Sequence, residues 1–230
     1  MSLLPLPASA PAPDSVPLRY GAVIYPGYQA LDLFGPLDAL NSLGLAYPFE
    51  LYMIAETMEP VSTKPPAPYH NPSGNFAQSV LPTHTFDNAP PIDVLIVPGG
   101  IGNRDEKIAE PVIRYIASVY PTLKYLMTVC TGSVLAARAG ILDGKSATTN
   151  KRAWERSIKQ GPRVNWVAHA RWVVDGNIWT SSGVSAGLDL IFAFMDQVFG
   201  GDTSDLIANF LEYERHRDPS WDPYAELYGL

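Results

Sequence analysis

Leu123-Lys124-Tyr125-Leu126-Met127-Thr128-Val129-Cys130-Thr131-Gly132-Ser133 runs from an apolar stretch into a small-residue turn and carries the chain's one cysteine. The apolar stretch predicts a buried strand, and the run Val134, Leu135, Ala136, Ala137 predicts a helix that Gly140 stops. A side chain on so sharp a strand-to-helix turn is pushed out of the sheet toward a ligand, as in a nucleophile elbow. The helix that follows presents partial positive charge at its N-terminus, which favours thiolate over thiol and is expected to draw the pKa of Cys130 below that of free cysteine. The alternative is a small buried hydrophobe.

Working outward, residues 20–25 form a short apolar run closed by Pro26-Gly27 and predict a buried strand. A loop holding Asp32 follows, and Gly35-Pro36 is expected to open a helix that Gly44 stops. Strands are predicted over residues 49–55 and 92–97, the second ending in Pro98-Gly99-Gly100, with a loop or hairpin insertion over residues 58–90 between them. Residues 105–118 space Ile108, Val112, Ile113 and Ile116 as a helix does. Beyond the elbow come a short strand at 146–149, a short helix at 154–159, and a hairpin turning at Asp175-Gly176-Asn177. Helices over 185–199 and 203–213 and an aromatic, Pro-containing tail over 216–230 complete the chain. Strands alternating with helices predict an α/β fold, a parallel-rich sheet sandwiched by helices. Ligands bind such sheets at the carboxyl ends of strands. That selects the Asp32 loop, the Pro98-Gly99-Gly100 turn and the Cys130 elbow.

Composition narrows the function classes. A chain of 230 residues that is 47% hydrophobic holds a sizeable core. A net charge of −7 without a basic patch argues against a nucleic-acid partner. One cysteine forms no internal disulfide, which suits a reducing, cytoplasmic setting. Residues 1–17 are rich in Pro, Ala and Ser and lack Lys and Arg before Arg19, so no signal peptide and no membrane contact is expected. The expected organisation is a flexible arm over 1–18, one domain over 19–214 and a tail over 215–230.

Five segments together resemble the ThiJ/PfpI superfamily, with its flavodoxin-like, class I glutamine amidotransferase-like fold. They are Tyr25-Pro26-Gly27-Tyr28, Leu31-Asp32-Leu33-Phe34-Gly35-Pro36, Ile96-Val97-Pro98-Gly99-Gly100, Val129-Cys130-Thr131-Gly132-Ser133 and Ser182-Gly183-Val184-Ser185-Ala186-Gly187-Leu188-Asp189. Within it the chain looks most like the isocyanide hydratase branch: Asp32 stands before Gly-Pro where other branches use Glu, and Thr131-Gly132 follows the cysteine. DNA-binding regulators share the Cys-Thr-Gly run, but 230 residues are expected to leave no room for their helix-turn-helix part. Many members carry a His after the Thr-Thr pair. Here Thr148-Thr149 is followed by Asn150, which cannot act as a base near neutral pH. His70, His84, His169 and His216 match no site segment and read as surface or structural groups.

The resemblance places Asp32 against the sulfur of Cys130. From the sequence alone Asp32 reads equally as a helix-terminal acid. A carboxyl beside a thiolate has a raised pKa and can give and accept a proton. Gly99, Gly100 and the amide of Thr131 are candidates for an anion-stabilising pocket, with a plain turn as the alternative. The Thr131 hydroxyl is expected to bond substrate or Asp32, or to cap the helix. Asn150 and Ser182 are candidate pocket linings, while Asp175 and Asp189 read as structural. No metal-ligand spacing and no phosphate-binding loop is present in the sequence, so no cofactor is expected. The implied function is a lyase-type hydration of a small-molecule isocyanide to an N-substituted formamide, with Cys130, Asp32 and Thr131 catalytic. The alternatives are another reaction of the superfamily, glyoxalase-like, lyase or isomerase, or a cysteine redox sensor. The superfamily habit also implies a homodimer.

Overall fold

A computed structural model describes residues 4–70 and 72–230. In chain order the elements are β1 (Arg19–Val23), α1 (Ala30–Leu43), β2 (Glu50–Ala55), β3 (Val61–Ser62), β4 (Ser79–Val80), β5 (His84–Thr85), β6 (Val94–Val97), α2 (Glu106–Val119), β7 (Tyr125–Thr128) and α3 (Gly132–Arg138). There follow β8 (Ser146–Ala147), α4 (Trp154–Ile158), β9 (Asn165–Trp166), β10 (Trp172–Asp175), β11 (Ile178–Ser181), α5 (Ala186–Phe199), α6 (Gly201–Phe210) and α7 (Pro223–Leu227).

The main sheet has seven strands in the order β10-β11-β7-β6-β1-β2-β5. Every neighbouring pair in it is parallel except β10 with β11, the hairpin read from Asp175-Gly176-Asn177. Central strands covered on both faces must be apolar throughout, and all four residues of β6 are buried. Helices α1, α5 and α6 pack on one another and α2 packs on α3, giving the two flanking layers. The fold is therefore the mostly parallel, helix-flanked sheet that the alternation predicts.

Four elements differ from the sequence reading. Helix α1 begins at Ala30, ahead of the Gly35-Pro36 start signal, so Asp32 lies in its first turn instead of in a loop. Pro36 removes one helical hydrogen bond; burial of Leu33, Leu37, Leu40 and Leu43 on the core side offsets it. The insertion over 58–90 contains the β3–β4 hairpin as expected, and also β5, which extends the main sheet by pairing Ile54 with His84. Two-residue strands carry too little periodicity to read from sequence. Residues 1–3 of the expected arm lie outside the described residues, and over residues 4–18 it is no free segment: Leu4 and Val16 are buried, and the Tyr47 hydroxyl donates to Pro11 O at 2.9 Å. The tail likewise folds back, with Arg171 N donating to Pro219 O at 2.7 Å and α7 burying Ala225. No helix among the described residues is long and apolar enough to cross a membrane.

Candidate active site

Strand β7 ends at Thr128 and α3 begins at Gly132, and between them Cys130 adopts φ 59°. A non-glycine residue held in the left-handed region is strained unless its surroundings fix it. Here they do. Cys130 N donates to Ser182 O at 3.0 Å, and Cys130 O accepts from the Ser133 hydroxyl at 3.0 Å and the Thr149 hydroxyl at 3.2 Å. The elbow expected from the sequence is present.

Asp32 is 0% exposed, and its Oδ2 accepts the backbone N–H of Gly99 at 2.8 Å. Its Oδ1 has no hydrogen-bond partner with good geometry. Burial pushes its pKa up to about 7, against smaller lowering influences from the Gly99 amide and the Cys130 thiol. Asp32 and Cys130, 98 residues apart in sequence, are thus brought within each other's field by the fold.

The expectation of an acidified thiol is not met. Burial pushes the Cys130 thiol up, and the Asp32 charge adds to it. The Thr131 amide, the Asn150 side chain and the Val184 amide pull the other way but do not prevail. A helix N-terminus acts over one turn at partial charge, whereas Cys130 is only 6% exposed. The pair at neutral pH is a protonated thiol beside a carboxyl near its midpoint.

The glycine turn also differs from the anion pocket anticipated. Gly99 N is taken by Asp32, and Gly100 N donates to the Thr131 hydroxyl at 3.1 Å. The amides that act on sulfur are those of Thr131 and Val184. Gly99 has a steric reason to be glycine: a Cβ there would stand 2.5 Å from Thr131 N and 2.9 Å from Asp32 Oδ2. The Thr131 hydroxyl caps no helix and meets no Asp32 oxygen; it accepts from Gly100 N and from Asn103 Nδ2, the latter at 3.0 Å. Ser182 lines no cavity with its hydroxyl, which donates to Asp222 Oδ2 at 2.6 Å, while its carbonyl holds the cysteine amide. Small polar residues carry no sequence mark of the direction they face.

Asn150 reaches the sulfur directly. Its Oδ1 accepts from Ala153 N at 3.0 Å, which fixes the amide, so Nδ2 donates to Cys130 Sγ at 3.2 Å. It is a donor to sulfur where a histidine would be a base. No histidine among the described residues is hydrogen-bonded to Cys130: His84 lies in edge strand β5, His169 meets Leu230 O, and His216 stacks on Trp221.

The sequence reading missed four contributors. Asn103 braces Thr131, and an asparagine in the Gly-rich turn after β6 was its one signal. Tyr25 is buried behind the acid, its hydroxyl donating to Pro98 O at 2.8 Å. Lys151 is buried beside Asn150, donating to Ala170 O at 3.0 Å and pairing with Asp222 at 3.4 Å. Asp222 comes from the tail, which nothing in the sequence ties to the site. Asp175 and Asp189 are structural as expected: Asp175 takes Ser146 N, and Asp189 pairs with Arg171 in the interior.

A cavity of about 440 Å³ opens onto Cys130 and Thr131, with Asn103, Asn150 and Val184 in its walls. Asp32 is not among the residues lining this cavity and reaches it through its interaction with the Cys130 thiol.

The sequence matches the DJ-1/PfpI family over residues 22–197. It is 32% identical to the isonitrile hydratase of Pseudomonas putida across 85% of this chain and 78% of that enzyme. It is 30% identical to the HTH-type transcriptional regulator GbdR of Pseudomonas aeruginosa, across 60% of this chain and 37% of the regulator. Among solved structures, that of a ThiJ/PfpI family protein from Pseudomonas syringae superposes with a TM-score of 0.73 at 27% identity, over 95% of this chain and 85% of that one.

Proposed function

The chain belongs to the DJ-1/PfpI family, and within it we propose that it is a cofactor-independent hydratase that converts an isocyanide to an N-substituted formamide through a thioimidate on Cys130. The observation that carries this reading is the buried Asp32 carboxyl, with no cationic partner and a pKa near 7, set against a protonated thiol. An acid tuned to the working pH can both take and return a proton. Sequence similarity to an isonitrile hydratase over most of both chains supports the substrate class.

With Asp32 ionised, its carboxylate takes the thiol proton as sulfur attacks the terminal carbon of R–N≡C. The same proton is delivered to that carbon, leaving R–N=CH–S on Cys130. Water then adds to the carbon, its proton passing by way of the Asp32 carboxylate to nitrogen, giving R–NH–CH(OH)–S. Collapse breaks the C–S bond, the hydroxyl proton returns through Asp32 to sulfur, and R–NH–CHO departs. One water is consumed and no redox partner is needed. The Thr131 and Val184 amides and Asn150 Nδ2 stabilise charge on sulfur while it is in transit. Asn150 suits this scheme because Asp32 alone shuttles the proton.

A glyoxalase-like reaction is less well supported, because the position that carries His in many members of the superfamily is Asn150, whose amide does not titrate near neutral pH. A redox sensor calls for an accessible thiolate, and Cys130 is buried and protonated. A homodimer belongs to the same proposal, supported by exposed Leu31 and Phe34 on the helix that bears Asp32.

Purified protein incubated with cyclohexyl isocyanide and with an aryl isocyanide is expected to release the corresponding formamides. Cys130→Ala is expected to abolish release while leaving the circular dichroism spectrum unchanged. No formamide from either substrate with the wild-type chain would overturn the reading.

A further inference from the structure

The charged groups lining the Cys130 cavity are Arg104, Arg138, Arg152, Arg156 and Glu106. Arg138 and Glu106 neutralise each other, their side chains 2.6 Å apart. Arg104, Arg152 and Arg156 make no ion pair among the described residues; Arg104 rests over the ring of Tyr69 at 5.6 Å. Three uncompensated guanidinium groups therefore face one small cavity in a chain whose net charge is −7. An acidic protein that spares three arginines from its own carboxylates at one opening has a local field opposite to its global one.

The arrangement follows from the two walls. On one, Asn103 braces Thr131 and Arg104 comes next in the chain. On the other, Asn150 holds the sulfur, and Arg152 and Arg156 follow one helical turn apart. That second wall is anchored by burial of Trp154 and Ser157, with the Ser157 hydroxyl donating to Ala153 O at 2.8 Å. Burying those two side chains leaves Arg152 and Arg156 outside, on the cavity rim. Guanidinium forks bind carboxylates in bidentate fashion and stay charged at every working pH.

We propose that Arg104, Arg152 and Arg156 form an anion-binding rim, and that the substrate of this site is a small molecule carrying a carboxylate at the end remote from the group that Cys130 attacks. This deepens the hydratase reading and rests on it only for the identity of the reacting end. In those terms the preferred substrate is a carboxylate-bearing isocyanide, and the product an N-formyl carboxylic acid.

Two measurements separate the rim from the chemistry. The first uses alkylation of Cys130 by iodoacetate and by iodoacetamide, neighbours in size that differ in charge, each rate divided by that of N-acetylcysteine. The normalised iodoacetate rate is expected to exceed the iodoacetamide rate by about fivefold, the effect of one near-surface charge contact. The preference is expected to vanish in Arg152→Gln/Arg156→Gln, to weaken in Arg104→Gln, and to collapse in 1 M salt, where the screening length is about 3 Å. A ratio at or below one, or a ratio that the substitutions leave alone, would overturn the proposal whatever reaction the site performs. The second compares kcat/KM for 4-isocyanobenzoate and its methyl ester. The acid is expected to be preferred, through a lower KM, in the wild type and not in the double variant. Equal values for acid and ester in the wild type would count against the rim, whereas no turnover of either would count against the hydratase reading and leave the alkylation result to decide the rim.

Discussion

Two buried aspartates near the same cysteine, Asp32 facing its thiol and Asp222 reaching it through Ser182, have opposite surroundings. Asp222 has its side chain fully out of water, and Lys151 lies 3.4 Å from it, with the Ser182 hydroxyl at 2.6 Å. Asp32 is equally buried, takes one backbone N–H and pairs with no cation among the described residues. Burial of a charge is costly unless it is paired. The Asp222 site meets that cost with a counter-ion, while burial also draws Lys151 down to about 8. The Asp32 site leaves the cost standing, and the carboxyl answers by moving its pKa up to about 7. A paired acid can brace a structure. An unpaired one is poised between two states and can move a proton. The Lys151–Asp222 pair thus braces Ser182, whose carbonyl holds the elbow, and the unpaired acid is the one to which the proposed chemistry is assigned.

If this contrast is right, the largest effect falls on rate. Asp32→Asn keeps shape and loses the proton shuttle, so kcat/KM for isocyanide hydration is expected to fall by ~10²–10⁴. The wild-type profile is expected to rise with pH through about 7, because the base form of Asp32 must take the thiol proton. A variant within twofold of wild type would reduce Asp32 to a helix-terminal acid.

The next effect falls on stability. Asp222→Ala leaves Lys151 in the interior without its counter-ion, and denaturant unfolding is expected to show a loss of about 3–5 kcal/mol. A near-neutral result would mean that Lys151 finds water, and that the tail does not brace the site.

Asp32→Asn sharpens the comparison from the other side. The folded carboxyl keeps its proton up to about pH 7, whereas the unfolded chain loses it near pH 4. Between those values the folded state binds more protons, so wild-type stability falls as pH rises. The fall attributable to this one group is roughly 4 kcal/mol at most by pH 8. The amide variant lacks it, and is expected to exceed the wild type in stability at pH 8 by a few kcal/mol and to lose that advantage toward pH 4. An advantage that does not change with pH would show that Asp32 has an ordinary pKa.

Much of the fold is legible in the sequence. The apolar runs of β1, β2, β6 and β7 are continuous because both faces of a parallel sheet are covered, and continuity is visible in sequence. The elbow was visible for a similar reason, since Val129-Cys130-Thr131-Gly132 joins a strand pattern to a helix pattern with no residues to spare. By contrast β5, β8 and β9, two residues each, exist because partners are already in place. The start of α1 was obscured by Pro36, a local signal overruled by core burial.

The chain by itself determined an α/β sheet, one cysteine at a strand-to-helix turn, an acid ahead of Gly35-Pro36 and an asparagine where a base was sought. These are properties of composition and local pattern, which the backbone carries without help. Tertiary structure alone decided which hydrogens Gly99, Gly100 and Ser182 spend within the protein, that the thiol is pushed up and not down, and that Asp222 returns from the tail to Lys151. Each depends on what burial removes from water and what the fold sets opposite, and a sequence records neither.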